Sequence, residues 1–270
     1  MTSTVQTPDI LAAIVASTRR GVSVRSSEVP LAEMERRAAA VEPRHGAFRA
    51  ALVKAGRINI IAECKRRSPS RGVLRRGYAP AAIASSYERA GAAAISVLTE
   101  PAFFDGCLDD LVAVRQATQL PLLRKDFIVD RYQIFEARAA GADAILLIVA
   151  GLTPDALGEL HHAASDAGLD VLVEIHDLVE LPIAIGAGAS IVGVNNRDLR
   201  TLTVDTDVSE RAVEQIPDDV VAVAESGLKA GDDLRRLGAA GYDAFLVGER
   251  FMTADDPGRA LDDLLKGAGA

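Results

Sequence analysis

Short runs of Val, Ile, Leu and Ala recur along most of this chain at intervals of one strand plus one helix. That spacing limits the fold more than any other feature. The runs lie at 60–62, 94–98, 120–123, 144–149, 171–175, 191–194, 220–223 and 244–247. Each is close to continuously apolar, as parallel strands covered on both faces are. One recurs about every 25 residues, the length of a strand–helix unit. Gly91-Ala92, Gly141-Ala142, Gly188-Ala189 and Gly241-Tyr242 each stand just before a run. A helix ends readily on glycine, which accepts the left-handed conformation. These four signals precede the second, fourth, sixth and eighth runs, so they recur every two units. The pattern predicts a closed (β/α)8 barrel. The alternative is an open doubly wound sheet, whose usual mark is a Gly-rich loop after the first strand. Here that strand is followed by Lys65-Arg66-Arg67-Ser68-Pro69-Ser70-Arg71-Gly72 instead.

Residues 1–56 follow another pattern. Thr7-Pro8-Asp9 predicts a helix start, with Thr7 as the cap, Pro8 at the first helical position and Asp9 in the first turn. Ile10, Leu11, Ile14 and Val15 then share one helical face. Val29-Pro30 starts a second helix with Leu31, Met34 and Ala38 as its apolar stripe, and 48–55 reads as a third. An arm this small cannot enclose its own core. It is expected to form a helical extension, 1–56, packed on a barrel domain, 57–270.

Composition excludes several classes of function. The chain has 270 residues, 49% of them hydrophobic, enough for one large core. A net charge of −8 gives no general attraction to nucleic acid or to anionic membranes. Aromatic residues are 4% and Trp is absent, which leaves little for base-stacking platforms. No apolar run approaches the roughly 18 residues of a membrane span. No Lys or Arg precedes the short apolar stretch 10–16, so no secretory signal is expected. Cys64 and Cys107 alone make neither a disulfide framework nor a zinc site. The cytoplasm is the expected compartment, and neither nucleic acid nor membrane is expected as a partner.

In a barrel, chemistry sits at the C-terminal ends of the strands. Those ends here carry Glu63-Cys64-Lys65, Thr99-Glu100, Arg124-Lys125-Asp126-Phe127, Glu174-Ile175-His176, Asn195-Asn196-Arg197, Glu225-Ser226-Gly227 and Gly248-Glu249. Glu63 and Lys65 are two apart on a strand, so both can face the mouth. With Lys125, Glu174 and Asn195 they form an acid–base set. Ser226-Gly227 and Gly248-Glu249 close strands seven and eight, where barrels often bind phosphate. A small phosphorylated molecule is therefore the expected partner. Glu249 suits a dianion only if its N–H, rather than its carboxylate, points inward.

Taken singly, these residues have plainer explanations. Glu63 and Lys65 could be a rim ion pair, Lys125-Asp126 a solvated pair and Asn195-Asn196 a turn. Arg66-Arg67 and Arg75-Arg76 fit a solvated surface. His161, His162 and His176 lack a third ligand at metal spacing, so no metal is expected. Cys64 fits a buried small hydrophobe. Phe103, Phe104 and Phe127 fit core more readily than a ligand pocket, though they flank two of these strand ends. The joint occurrence of polar groups at nearly every strand end is what favours a site.

At these residues the sequence resembles the indole-3-glycerol phosphate synthase family. The matching stretches are Ile61-Ala62-Glu63-Cys64-Lys65-Arg66-Arg67-Ser68-Pro69-Ser70, Ser96-Val97-Leu98-Thr99-Glu100, Leu123-Arg124-Lys125-Asp126-Phe127, Leu172-Val173-Glu174-Ile175-His176, Gly193-Val194-Asn195-Asn196-Arg197-Asp198, Ala224-Glu225-Ser226-Gly227 and Leu246-Val247-Gly248-Glu249. The resemblance implies a (β/α)8 carboxy-lyase of tryptophan biosynthesis. Its substrate would be 1-(2-carboxyphenylamino)-1-deoxyribulose 5-phosphate, with no cofactor and no metal.

The resemblance also implies roles. Lys125 would be the general acid for ring closure, and Glu63 and Asn195 would orient substrate. Glu174 would be the base for dehydration, with Lys65 as its acid, and Ser226 would join this catalytic group. Ser68, Arg197, Gly227, Gly248 and Glu249 would bind substrate, with Phe104, Phe127, Leu146 and Leu202 around the anthranilate ring. Desolvation beside such a ring pocket is expected to lower the Lys125 pKa toward neutrality. A monomer is expected, with weak association with other tryptophan-pathway enzymes as the alternative. Arg250 departs from the small residue frequent in the family, and Cys64 from a larger one. Two other functions stay open: a Schiff-base aldolase on another phosphosugar using Lys65 or Lys125, and a catalytically silent phosphosugar-binding barrel.

Overall fold

The computed structural model describes residues 9–269. Eight parallel strands close into a barrel. They are β1 (Asn59–Cys64), β2 (Ala94–Leu98), β3 (Leu122–Lys125), β4 (Ala144–Ile148), β5 (Asp170–Ile175), β6 (Ile191–Asn195), β7 (Val221–Glu225) and β8 (Ala244–Val247). β1 pairs with both β2 and β8, which leaves no edge. The predicted barrel is therefore the observed fold.

The strands extend past the apolar runs into the polar residues at their C-terminal ends, because the ladder bonds are backbone bonds indifferent to side-chain polarity. β3 starts at Leu122 rather than at 120, since Pro121 has no N–H to give the ladder. The loop after β1 folds into a small hairpin, Arg67–Ser68 against Gly72–Val73. No apolar alternation announces it.

Period-2 alternation separates two cores. Ile61, Leu123, Leu146, Leu172, Ile191, Val223 and Leu246 fill the barrel interior. Ile60, Ala62, Cys64, Ile95, Leu147, Val173 and Val194 face the surrounding helices. Cys64 is thus a buried hydrophobe of the outer layer. Gly91, Gly141, Gly188 and Gly241 all take positive φ, as the helix-end reading requires. Gly168 does the same before β5, so the device is not confined to every second unit.

Among the described residues three helices precede β1: α1 (Ile10–Glu28), α2 (Leu31–Ala39) and α3 (Ala47–Leu52). Thr7 and Pro8 lie outside the described residues. Asp9 is itself the cap of α1, accepting a hydrogen bond from the Ala12 N–H at 3.0 Å, rather than a first-turn acid. Leu11 and Ile14 of α1 join the interior cluster, as do Phe48 and Leu52 of α3. The Asn59 side chain, at the start of β1, donates to the carbonyl of Leu52 at 2.7 Å and fastens α3 there. In α2, Met34 and Ala38 are buried, but Leu31 is 40% exposed because it opens the helix beyond the packed face. Among the described residues no helix is long and apolar enough to cross a membrane.

Candidate functional site

A cavity of about 440 Å³ opens at the C-terminal ends of the strands. Glu63, Lys65, Lys125, Glu174 and Asn195 line it. Each is an inward position of its strand or directly follows one. Ser68, Phe104, Phe127, Leu146, Arg197, Leu202, Ser226, Gly227, Gly248 and Glu249 line the same space. Ile10 and Ile14 of α1 complete its wall, so the N-terminal arm reaches the site.

Lys125 is the centre of the polar floor. Its Nζ lies 2.7 Å from Glu174 Oε2 and 3.2 Å from Glu225 Oε2. Burial by itself would lower the Lys125 pKa. The carboxylates of Glu174, Glu225 and Glu63 outweigh that and hold the ammonium above its ordinary range. The expected lowering toward neutrality is therefore corrected: the walls are not only apolar, and paired anions win over desolvation. Burial pushes Glu174 up, but Lys125 first and His176 second bring it below the usual carboxylate range. Burial pushes Glu225 up, Lys125 opposes, Glu174 reinforces, and its carboxyl titrates at about 8. The trio thus sets an ammonium held high against one carboxyl held low and one held high.

Glu225 was not among the residues picked from the sequence as catalytic. The available signal was its position: the last residue of β7, in register with Asn195 at the end of β6. His176 is the second such residue. Its Nε2 lies 3.1 Å from Glu174 Oε1, close enough for charge pairing though out of line for a hydrogen bond. Its backbone N–H donates to Glu180 at 2.7 Å. Burial lowers the His176 pKa, but Glu174 and Glu180 raise it to about 9.

A folded-state value above the ordinary 6.5 means that His176 adds stability below that pH and loses it as pH rises through about 9. Glu225 acts in the same sense between its ordinary 4.5 and about 8. Thermal unfolding should show the melting-temperature advantage of wild type over His176→Asn greatest near the acid end of this window and shrinking on the way to its alkaline end. A constant difference would exclude the ion pair.

Alternation also divides neighbours. Asn195 faces the cavity and its Oδ1 accepts from the Arg197 N–H at 3.0 Å. Asn196 faces outward, where its Oδ1 accepts from the Ser209 hydroxyl at 2.8 Å. Lys125 faces in, while Asp126 faces out and pairs with Arg124 at 2.8 Å, so Lys125 and Asp126 are not a solvated pair. Glu100 turns away from the site and caps the turn Pro101–Phe104, accepting from Phe103 N at 2.7 Å.

Across the cavity, Lys65 pairs with Glu63. Ser226 and Gly227 take φ of +65° and +77°, a left-handed pair uncommon for serine. Both residues line the cavity at the end of β7. Arg197 Nη2 lies 3.4 Å from Glu249 Oε2, and Arg71 Nη1 lies 3.5 Å from Glu249 Oε1. The Glu249 carboxylate is thus engaged by two cations, which removes the objection to it beside a dianion. Ser68 Oγ sits 3.4 Å from Ser70 Oγ, at the foot of the hairpin. Arg250 donates to the Lys229 carbonyl at the rim.

The remaining wall is apolar. The Phe104 and Phe127 rings lie 6.0 Å apart at 36°, with Leu146 buried among the other lining residues. Leu202 takes φ of +63° on the loop after β6. A planar ring fits here, and an anion fits at the Ser226–Gly227 end.

Comparison with known proteins bears on the family of the chain. The family model described as indole-3-glycerol phosphate synthase matches residues 11–264. The indole-3-glycerol phosphate synthase of Parafrankia sp. (strain EAN1pec) is 47% identical over 252 residues, 93% of this chain and 93% of that protein. That of Koribacter versatilis (strain Ellin345) is 47% identical over 258 residues, 94% of this chain and 98% of that protein. Among solved structures, thiamine phosphate pyrophosphorylase from Pyrococcus furiosus superposes with a TM-score of 0.60 at 19% identity, over 78% of this chain and 96% of that one. This last likeness speaks for the barrel alone. A family match over nearly the whole length, with relatives at this identity, settles kinship: the chain belongs to the indole-3-glycerol phosphate synthase family.

Proposed function

We infer that the chain is a carboxy-lyase of tryptophan biosynthesis. It converts 1-(2-carboxyphenylamino)-1-deoxyribulose 5-phosphate to indole-3-glycerol phosphate, CO2 and water. The observation that carries the division of roles is the Lys125 ammonium, held between two carboxyl groups and facing the Phe104–Phe127 wall.

In this reading the phosphate lies on Ser226, Gly227 and Gly248, with Arg197 and Ser68 at the rim and Glu249 holding Arg197. The anthranilate ring lies against Phe104, Phe127, Leu146 and Leu202. Glu63 and Asn195 orient the ribulose chain. The ring carbon bearing the carboxylate attacks the ketone carbon as Lys125 delivers a proton to the ketone oxygen. The new C–C bond leaves an iminium at the ring nitrogen. CO2 departs, and its bonding pair neutralises that iminium. Glu174 then removes a proton as Lys65 protonates the departing hydroxyl, which leaves as water. Proton transfers of this kind contribute about 10²–10⁴-fold, and positioning through the distant phosphate much of the rest. The same reading carries the 1–56 and 57–270 division, a monomer and the cytoplasm.

The test is direct. Purified protein and the anthranilate ribulose phosphate should give indole fluorescence and CO2 in equal amounts. Borohydride added during turnover should leave no covalent adduct, because the ring closure passes through none and the Lys125 amine is held as an ammonium. A reduced adduct would favour the aldolase, and neither product nor adduct would favour the silent binding barrel.

A further inference from the structure

Gly193 sits in the interior of β6, between inward Ile191 and inward Asn195. A Cβ added to it would stand 2.2 Å from Glu225 Oε1, 3.3 Å from Glu225 Cδ and 3.2 Å from Leu172 Cδ1. The first distance is impossible, so the Glu225 carboxyl would have to leave its place. The register explains the approach. Gly193 lies opposite Val223 on β7, one inward layer below Glu225, and opposite Glu174 on β5. The Glu225 side chain reaches back over β6 into the space that a residue with a Cβ would fill. Its Oε1, the oxygen in that notch, has no hydrogen-bond partner among the described residues. Its Oε2 is left 3.2 Å from Lys125.

Glycine inside a strand costs conformational entropy and contributes no packing, so it marks a place where something must come close. Here that something is a carboxyl group. β8 repeats the arrangement at its end, where a Cβ on Gly248 would stand 2.0 Å from Glu63 Oε2, the oxygen paired with Lys65.

We propose that Gly193 is a positioning residue for the reaction: its missing side chain opens the notch that seats the Glu225 carboxyl against Lys125, opposite Glu174. This rests on the reading of Lys125 as proton donor. Gly193 touches no reacting atom and acts only through Glu225.

The test is a cycle of Gly193→Ala, Glu225→Ala and the double variant. Gly193→Ala alone should lower kcat by about 10²-fold, the scale of a misplacement near 1 Å, with KM little changed. The alkaline limb of its kcat–pH profile should move, because the group titrating near pH 8 has lost its seat. Glu225→Ala removes the atoms that the new Cβ would strike, so adding Gly193→Ala to it should lower neither kcat nor Tm further. Additive losses in Tm would show that β6 needs glycine for packing against Leu172, and would overturn the proposal. Should Gly193→Ala fail to fold, a folded double variant supports the proposal and an unfolded one refutes it. The Tm cycle needs no substrate, whereas wild-type turnover tests the functional reading by itself.

Discussion

Turnover of the Lys125→Met variant should fall by at least about 10²-fold, the scale of a lost general acid. KM should change far less. Methionine keeps the length and the apolar stem of lysine but carries no proton. Ser226 and Gly227, and the rings of Phe104 and Phe127, are left intact, and in the proposed reading these are the groups that hold the substrate in the ground state. A second loss compounds the first. Lys125 holds Glu174 below the usual carboxylate range against the opposing effect of burial. Without the ammonium, Glu174 and Glu225 face each other with no cation between them, and the Glu174 carboxyl moves up. Glu174, the proposed base for dehydration, then keeps only His176 to hold it ionised against burial. Glu174→Gln should give a loss of similar size with Lys125 in place. The two variants together should lose much less than the product of the single losses, because they act as one unit. Steady-state kinetics followed by indole fluorescence across pH measures all of this. Wild-type rates in both single variants would remove these residues from the mechanism.

Sequence pattern was enough for the barrel because parallel strands buried on both faces are written as apolar runs, and each helix end needs a residue tolerant of positive φ. The inward polar residues were legible for a similar reason: Glu63 and Lys65 share a face by period-2 alternation. The electrostatics were not. A lysine beside two phenylalanines suggests desolvation, and only the closed barrel shows that Glu174 from β5 and Glu225 from β7 both reach Lys125 on β3. The pairing of Asp126 was equally hidden. Its adjacency to Lys125 suggests a pair, yet neighbours on a strand point to opposite faces. Gly193 gave no sign at all, since a glycine within an apolar run says nothing about which atom approaches it. The hairpin after β1 was missed because two-residue strands carry no period.

The largest loss of stability should come from Arg124→Met, about 3–5 kcal/mol, which for a chain of this size lowers Tm on the order of 10 °C. Arg124 is 1% exposed on the outer face of β3. Its guanidinium donates to Asp126 at 2.8 Å, to the Gln133 carbonyl at 2.8 Å and to Glu136 at 3.3 Å. Glu136, on the helix Arg131–Ala139, in turn accepts from Arg25 of α1 at 2.6 Å. Removing the central cation leaves Asp126 and Glu136 buried with their charge uncompensated on the side of Arg124. That penalty, rather than the lost attraction, sets the size of the effect. Arg25→Ala should cost only about 1 kcal/mol, because its side chain is 35% exposed and water screens the pair. The distinguishing measurement is Arg124→Met combined with Glu136→Gln. Neutralising the stranded carboxylate should restore part of the Tm lost by Arg124→Met, although Glu136→Gln alone lowers it. If the two losses simply add, Arg124 stabilises β3 by packing, and the charge network contributes nothing to holding α1 against the strand that carries Lys125.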